Sequence, residues 1–210
     1  MARPSSADKI LAHAAEMFAE HGFAGTIMDD LAELAEVNKA TIYYHFKDKV
    51  HLYEEVLTKH FIAMVDAITT AVESQTDCIK RLEAYIKTFA IESAKRKNLT
   101  SILMREIAGG GLKLPNGAKA QMHRILMLVK SILNQGLQEE LFIKTNVLTV
   151  HFMVIGSLSF YISSEPIRKM MVSSDADVQN SFQNSTIEEV SDEIFHMVKN
   201  ALLIKSKEEK

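Results

Sequence analysis

Hydrogen-bonding and cationic side chains are concentrated in residues 38–49, the run NKATIYYHFKDK. Lysine ammonium groups and threonine or tyrosine hydroxyl groups can bind base edges or phosphate oxygens, and the small residues among them permit close approach. If this run is helical, Ile42 and Phe46 share one face, which leaves the polar side chains outward. This chemistry suits the major groove of duplex DNA.

A capping signal and an apolar stripe predict a short helix just before this run. Thr26 is followed three residues later by Asp29, a capping-box-like start in which both side chains satisfy free backbone N–H groups. The apolar residues that follow share one helical face, namely Leu31, Leu34 and Ala35.

The break at residues 36–38 separates this helix from the next. Asn38 is a suitable N-cap for a second helix, KATIYYHF, and Asp48 is a suitable cap for a third, with Lys49 in its first turn. Two short helices joined by a tight turn form a helix-turn-helix, whose second helix can enter a major groove. The alternative is a small helical corner in which the tyrosines only pack.

Three runs in this segment carry a family resemblance. Gly22 and Phe23 are followed by Thr26, residues 41–46 read TIYYHF, and residues 47–49 read KDK. Together they resemble the DNA-binding signature of the TetR/AcrR family of bacterial transcriptional regulators. The resemblance covers about the first quarter of the chain; Ile27 departs from it, where the family usually has a second Ser or Thr that contacts phosphate.

The resemblance implies an all-α homodimer, in which an N-terminal three-helix helix-turn-helix unit is joined by a long helix to a C-terminal helical bundle. We expect a DNA-binding domain at residues 1–49, a ligand-binding and dimerisation domain at 50–205 and, from its charge, a disordered tail at 206–210. It also implies a ligand-responsive regulator, most often a repressor that leaves a palindromic operator when a small, largely apolar effector binds. An activator with the same helix-turn-helix is the alternative.

The DNA contacts expected from this resemblance divide into two groups. Base edges are assigned to Lys39, Thr41 and Tyr44, with Ala40 allowing approach and touching a thymine methyl group. Phosphate contacts are assigned to Thr26, Tyr43, His45 and Lys49.

Composition favours a helical protein of the cytoplasm. The 210 residues include only three prolines and eight glycines, and the single cysteine, Cys78, cannot form an internal disulfide. The N-terminus shows no apolar signal-peptide core. The most apolar run, residues 147–162, is shorter than the roughly 20 residues of a membrane span, so no membrane partner is expected.

The charge of the N-terminal region is unusual for a DNA-binding protein. Residues 1–60 contain six Lys or Arg against ten Asp or Glu, a formal charge of −4, whereas residues 38–49 contain three lysines and one aspartate, a charge of +2. Non-specific attraction to DNA should therefore be weak, and specific binding should depend on fit, on backbone N–H donors and on a dimer.

The rest of the chain shows helix signals separated by short breaks. Gly22 should end the first helix, which begins near Ser5 or Ser6. Further helices are expected at about 49–73, 78–95, 98–107, 118–140, 147–161 and 186–204, with a polar loop at 173–185.

The last two helices are the candidates for a dimer seam. A pair of helix-turn-helix units can read two half-sites about 34–36 Å apart only if the chain dimerises. Small residues on one helix and a heptad-like stripe on the other predict the seam: Gly156, Ser159, Ile187, Val190, Ile194, Met197 and Ala201. A seam within one chain is the alternative.

A group of methionine, aromatic and polar residues is the candidate effector pocket. Methionine conforms to irregular ligands, and Arg and His offer polar contacts. The predicted residues are Phe89, Met104, Arg105, Met122, His123, Met127, Phe152 and Met153, which otherwise fill an ordinary core or face water.

No catalytic residues, cofactor or metal site is predicted. The eight histidines are scattered without an i,i+4 pair, and Gly109-Gly110-Gly111 lacks the GK[ST] ending of a phosphate-binding loop. A helical enzyme or a ligand carrier is therefore the weaker alternative to a regulator.

Overall fold

The computed structural model describes residues 5–173 and 185–204, which form ten α-helices and no named strand. This confirms the predicted all-α class. The helices are α1 (Ser6–Gly25), α2 (Met28–Leu34), α3 (Lys39–Phe46), α4 (Lys49–Glu73), α5 (Cys78–Lys95), α6 (Lys97–Ala108), α7 (Asn116–Gln138), α8 (Val147–Ser163), α9 (Glu165–Ser173) and α10 (Ile187–Leu202). None of these helices combines the length and apolarity needed to cross a membrane.

The chain forms two compact units, each discontinuous in sequence. The first contains residues 1–63 and 96–121, and the second contains residues 64–95 and 122–210. The first unit therefore extends past residue 49, because the start of α4 and all of α6 belong to it. The division of function between residues 1–49 and 50–205 stays a prediction.

The first unit is built on α1, which packs most extensively against α6 and also contacts α2 and α3. Ser5 is the N-cap, and its hydroxyl oxygen accepts a hydrogen bond from the Asp8 N–H at 3.2 Å. Ile10, Ala14 and Phe18 recur at helical spacing and are fully buried. The predicted break occurs at the glycine of residue 22, whose φ of +70° interrupts the helix.

The second unit is built on α10, which packs against α5 and α8. Its buried apolar face consists of Val190, Phe195, Val198 and Leu202. After Leu202 the chain is held by backbone hydrogen bonds, from Ile143 N–H to the Leu202 carbonyl at 2.8 Å and from Ile204 N–H to the Leu141 carbonyl at 3.0 Å. An isolated antiparallel bridge between Phe142 and Leu203 lies between these bonds.

The helix starts of the second unit follow the local capping signals. Asn146 accepts a hydrogen bond from the Leu148 N–H at 2.8 Å, so α8 begins as predicted. Thr186 and Glu189 form a reciprocal capping box at the start of α10.

One helix was not predicted. α9 follows α8 after a single residue, whereas no helix was predicted between residues 161 and 186. Proline is tolerated in the first turn of a helix, which is where Pro166 lies in α9. Most of the predicted polar loop, at 174–184, and the predicted tail at 206–210 lie outside the described residues.

Candidate nucleic-acid interface

The predicted helix-turn-helix is present as α2, a short turn and α3. Leu31 and Ala35 on the α2 side and Ile42 on the α3 side are at most 1% exposed, and they hold the two helices together. The Asn38 side chain caps α3, accepting hydrogen bonds from the Thr41 N–H at 2.7 Å and from the Thr41 hydroxyl at 2.8 Å. Leu34 was expected on the buried face but is 53% exposed, because it lies at the end of α2 beyond the packed stripe.

The outward face of α3 brings together most of the residues assigned to DNA. Tyr44 is 85% exposed and Tyr43 is 39% exposed, while Ala40 and His45 are also exposed. Thr41 is half-buried, and its hydroxyl donates a hydrogen bond to the Asn38 side chain that caps α3. A protruding face on a buried anchor is the geometry that a groove-reading helix requires. The individual DNA roles stay predictions.

Thr26 does not have its predicted role. Its side chain is 2% exposed, and its hydroxyl donates to the Gly22 carbonyl at 2.9 Å, so it stabilises the end of α1. Ile27 occupies the N-cap position of α2 without any side-chain hydrogen bond. The capping box of Thr26 and Asp29 is therefore wrong, and a buried hydroxyl is not placed to contact phosphate.

Lys49 is directed inward in this structure. It lies in the first turn of α4 after the Asp48 cap, as predicted, but its Nζ atom is 4.8 Å from the centre of the Phe23 ring and 3.3 Å from the Ala24 carbonyl oxygen. Partial burial, and then the ammonium group of Lys113, lower the pKa of Lys49. A phosphate contact by Lys49 would therefore require its side chain to leave the Phe23 ring.

The predicted effector residues differ widely in exposure. Phe89 is 5% exposed, and Met104 and Met122 are half-buried. The others are exposed, because they lie on outward helix faces that the sequence pattern did not distinguish from the core: Arg105, His123, Met127 at 40%, Phe152 at 59% and Met153 at 47%. The effector pocket therefore stays a prediction.

Arg105 instead stabilises the end of the first part of α1. Its Nη2 atom donates to the carbonyl oxygens of Ala19 and Glu20 at 3.1 and 3.2 Å. These carbonyls lie where Gly22 interrupts the helix, so a positive charge there complements the helix dipole. A Cβ added to Gly22 would lie 3.3 Å from Arg105 Cδ, which shows how closely the two residues approach.

Replacing Arg105 with methionine is expected to lower the stability of the first unit by about 1 kcal/mol, since an exposed charge-assisted cap is lost while the aliphatic contact is kept. Urea unfolding of the purified chain, followed by circular dichroism, measures this change. Lys119→Met is the control, because it removes an exposed cation of α7 from the same unit. Equal effects of the two variants would contradict the capping role.

The second unit contains a buried polar pair within its apolar interior. Tyr85 is fully buried and His151 is 7% exposed, and the Tyr85 hydroxyl lies 2.9 Å from His151 Nδ1. Burial raises the pKa of Tyr85 and lowers the pKa of His151 to about 4. The imidazole is therefore neutral at pH 7, and the pair satisfies two groups that would be costly to bury alone.

Exposed apolar residues cover one face of α8 and part of α10, two helices that contact each other. On α8 they recur every four residues and surround an exposed glycine: Leu148, Phe152, Gly156 and Phe160, the last 68% exposed. On α10 and just after it they are Met197, Ala201 and Ile204. We call these seven residues the α8–α10 apolar face.

The predicted dimer seam overlaps this face only in part. Gly156, Met197 and Ala201 belong to it, and Ile187 and Ile194 are half-buried. Ser159 and Val190 are 7% and 9% exposed, because they point into the second unit. These two residues are therefore not available to a partner subunit.

Two surface cavities lie in the first unit. One of about 310 Å³ is lined by Phe23, Tyr53, Lys113 and Pro115 among others, and one of about 530 Å³ is lined by residues of α3 and α4. Neither contains a residue of the predicted effector pocket. Within the described residues no group of three or more His, Cys, Asp or Glu side chains could hold a metal ion.

Comparison with known proteins identifies what the N-terminal region is similar to. The family model described as "Bacterial regulatory proteins, tetR family" matches residues 10–56. The HTH-type transcriptional activator FasR of Mycolicibacterium smegmatis is 35% identical over 81 residues, 39% of this chain and 37% of FasR. The negative transcriptional regulator of the biofilm operon icaADBC in Staphylococcus aureus, IcaR, is 44% identical over 48 residues, 23% of this chain and 26% of IcaR. The matches thus span well under half of the length of either relative.

Solved structures match nearly the whole chain at low identity. A tetR-family regulatory protein from Rhodococcus RHA1 is 14% identical with a TM-score of 0.77, covering 97% of this chain and 100% of that one. The fatty acid degradation regulator FadR from Bacillus halodurans is 17% identical with a TM-score of 0.71, covering 94% and 96%. FadR from Bacillus subtilis, in complex with stearoyl-CoA, is 18% identical with a TM-score of 0.70, covering 92% and 98%. These matches establish a shared fold.

Proposed function

We propose that the chain is a DNA-binding transcriptional regulator of the TetR family, because the family model matches residues 10–56 and the fold is shared with a tetR-family regulatory protein. In this proposal a homodimer binds a palindromic operator in the cytoplasm and releases it when a small, largely apolar effector binds. Repression is the primary form of the proposal. Activation is the second, because the matched relatives include the activator FasR as well as the negative regulator IcaR.

The outward face of α3 carries the proposal. Tyr44 is 85% exposed, although Ile42 two residues earlier is fully buried. A tyrosine this exposed has little contact with the core of its own chain, and on a firmly anchored helix it can reach base edges in a major groove.

A fluorescence-anisotropy titration with the gene's own upstream DNA tests this function. Saturable binding that survives competition by unrelated DNA is the expected result, since specific complexes are typically about 10³–10⁷ times tighter than non-specific ones. Equal affinity for upstream and unrelated DNA would refute the proposal. A reporter gene under the same promoter, with and without the regulator, then separates repression from activation.

Tyr44→Ala is expected to alter the preference for particular base pairs of the operator while leaving the fold intact. Loss of a base contact costs about 1–3 kcal/mol of discrimination at one position, which is measured as relative affinity across single-base operator variants. Ile107→Ala is the control, because it removes a side chain of α6 that is 55% exposed in the same unit. Uniform weakening across all operator variants would remove Tyr44 from the base-reading residues.

The α8–α10 apolar face supports the proposed homodimer. Phe152, Phe160 and Met197 are each more than half exposed, and large apolar side chains in this number on adjoining helices are typical of an interface. Two copies of this face, related by a two-fold axis, would form a four-helix interface.

The interior of the second unit supports an effector with an apolar body and a polar group. Phe89 lies beside Tyr85, with ring centres 6.3 Å apart, and the Tyr85–His151 pair offers hydrogen-bonding atoms there. Stearoyl-CoA, which is bound in the Bacillus subtilis FadR structure, is the first candidate to test. If it is the effector, adding it to the protein–DNA complex should weaken binding about 5- to 150-fold, and free CoA should not.

A further inference from the structure

We propose that Asp29 is a specificity-determining residue, which holds Lys39 in an intramolecular ion pair on non-operator DNA and releases it to the operator. The inference rests on the proposed DNA-binding function. It concerns how the reading face of α3 avoids binding to DNA of any sequence, and it depends on the ion pairs of the first unit.

The Asp29–Lys39 pair joins the two helices of the helix-turn-helix. Lys39 Nζ donates to Asp29 Oδ2 at 2.9 Å, and the two side chains are 43% and 68% exposed. Asp29 lies in the first turn of α2, where a negative charge is favourable, whereas Lys39 is the first residue of α3, where a positive charge is unfavourable. Asp29 therefore supplies the counterion that the start of α3 lacks.

The hydrogen bond from Lys39 to Asp29 raises the pKa of Lys39, so the lysine stays charged when it is paired. Both partners are accessible to water and to a ligand from solution. An exposed pair of this kind is weak enough to be exchanged for a better partner, since such pairs contribute little to folding.

Most other lysines within residues 5–60 also have a partner in the structure. Lys9 pairs with Glu36 at 3.8 Å, and Lys59 pairs with Asp8 at 3.2 Å. Lys49 lies over the Phe23 ring. Of the lysines within residues 5–60, Lys47 is the only one for which the structure describes no carboxylate, carbonyl or aromatic contact.

Weak non-specific binding follows from this arrangement. Affinity for DNA of any sequence grows with the number of phosphates that protein cations neutralise. A lysine that already has a carboxylate 2.9 Å away gains less binding free energy when it contacts a phosphate, because the contact replaces an existing ion pair. A guanine edge offers two acceptors in fixed positions, and at an operator that geometry can compensate for the lost pair. Asp29 thus lowers non-specific affinity more than specific affinity.

Asp29→Asn tests the inference, with Asp30→Asn as the matched control. Both changes remove one negative charge from the first turn of α2, but the structure describes an ion pair only for Asp29. We expect D29N to bind non-operator DNA about two- to fivefold more tightly for each subunit in contact, the range of an exposed ion pair. The effect of D30N on non-operator affinity should be less than about half the effect of D29N. The log–log salt dependence of D29N should also steepen by up to about 0.9 per subunit.

A double-mutant cycle separates the pair from net charge. In a Lys39→Ala background, D29N should increase non-operator affinity no more than D30N does, because no lysine remains to be released. Equal effects of D29N and D30N in the wild-type background, or an undiminished D29N effect in the K39A background, would overturn the inference.

The outcome for the proposed function is read separately from the same titrations. Wild-type protein that prefers its upstream DNA retains the function even if D29N and D30N behave alike, in which case only the role of Asp29 fails. Wild-type protein without any such preference refutes the function, and the inference with it.

Discussion

Replacing Phe160 with glutamate is expected to convert the proposed dimer to a monomer. Phe160 is 68% exposed on α8, so the change removes no contact from the core of its own chain. In a two-fold interface the residue occurs twice, and each loss of a buried aromatic contact costs about 2 kcal/mol or more. The loss of both contacts, one from each subunit, should raise the dimer dissociation constant about a thousandfold.

The same variant should bind the operator poorly, because one subunit reads a single half-site. Linking two binding modules typically strengthens binding by about 10²–10⁴-fold, and a monomer loses that gain. Sedimentation velocity measures the assembly, and fluorescence anisotropy measures the operator affinity. Both should change together.

Leu112→Glu is the control for this experiment. Leu112 is 88% exposed and lies in the first unit, in the turn between α6 and α7. Its replacement introduces the same carboxylate without touching α8 or α10. A F160E protein that remains dimeric, with an unchanged circular dichroism spectrum, would show that α8 does not form the interface.

Acidification is expected to destabilise the second unit through His151. Burial lowers the pKa of His151 to about 4 in the folded chain, against about 6.5 for histidine in an unfolded one. The unfolded state therefore binds the proton more tightly, so stability is complete above about pH 6.5 and falls as the pH approaches 4. The difference between the two pKa values corresponds to a loss of about 3 kcal/mol in the free energy of unfolding once the pH is below both values.

Urea unfolding at a series of pH values between 7 and 4 measures this loss. The double variant Tyr85→Phe, His151→Leu should show a shallower pH dependence, because both polar partners are removed together and neither is left unpaired. The acidic groups Asp8 and Asp48, whose pKa values are lowered by hydrogen bonds and lysine or histidine neighbours, titrate below this range.

His60 provides an internal reference for the same experiment. Burial, and then the charges of Arg96 and Lys59, lower its pKa in the first unit, so it contributes to acid destabilisation in the same direction. The double variant should keep this part of the pH dependence. A pH profile identical to that of the wild type would contradict the assignment to His151.

Local signals in the sequence predicted the helices well. Asn38 and Asp48 cap the helices for which they were proposed, and Asn146 and Thr186 cap α8 and α10 close to their predicted starts, because a cap depends on residues only two or three positions away. Thr26 failed, because the hydroxyl is equally able to bond backward to the carbonyl of Gly22 at the end of α1.

The candidate sites were predicted less evenly. The outward face of α3 follows from the buried position of Ile42, which periodicity reveals. The exposure of the effector-pocket residues could not be predicted, because α8 is apolar nearly all round and its pattern does not distinguish Phe152, which is exposed, from His151, which is buried. Which side of such a helix faces inward depends on α5 and α10, and these are distant in sequence.

The discontinuity of the first unit has a consequence for how the molecule is made. Residues 6–46, which contain α1 to α3, emerge from the ribosome early. The helix that packs most extensively against α1 is α6, and it is complete only when Ala108 has been added. Until then the carbonyls of Ala19 and Glu20 lack the Arg105 guanidinium group. A fragment ending near residue 60 would lack α6, so it would expose the apolar surface of α1 that α6 covers in the full chain. We therefore do not expect such a fragment to be an independent DNA-reading module.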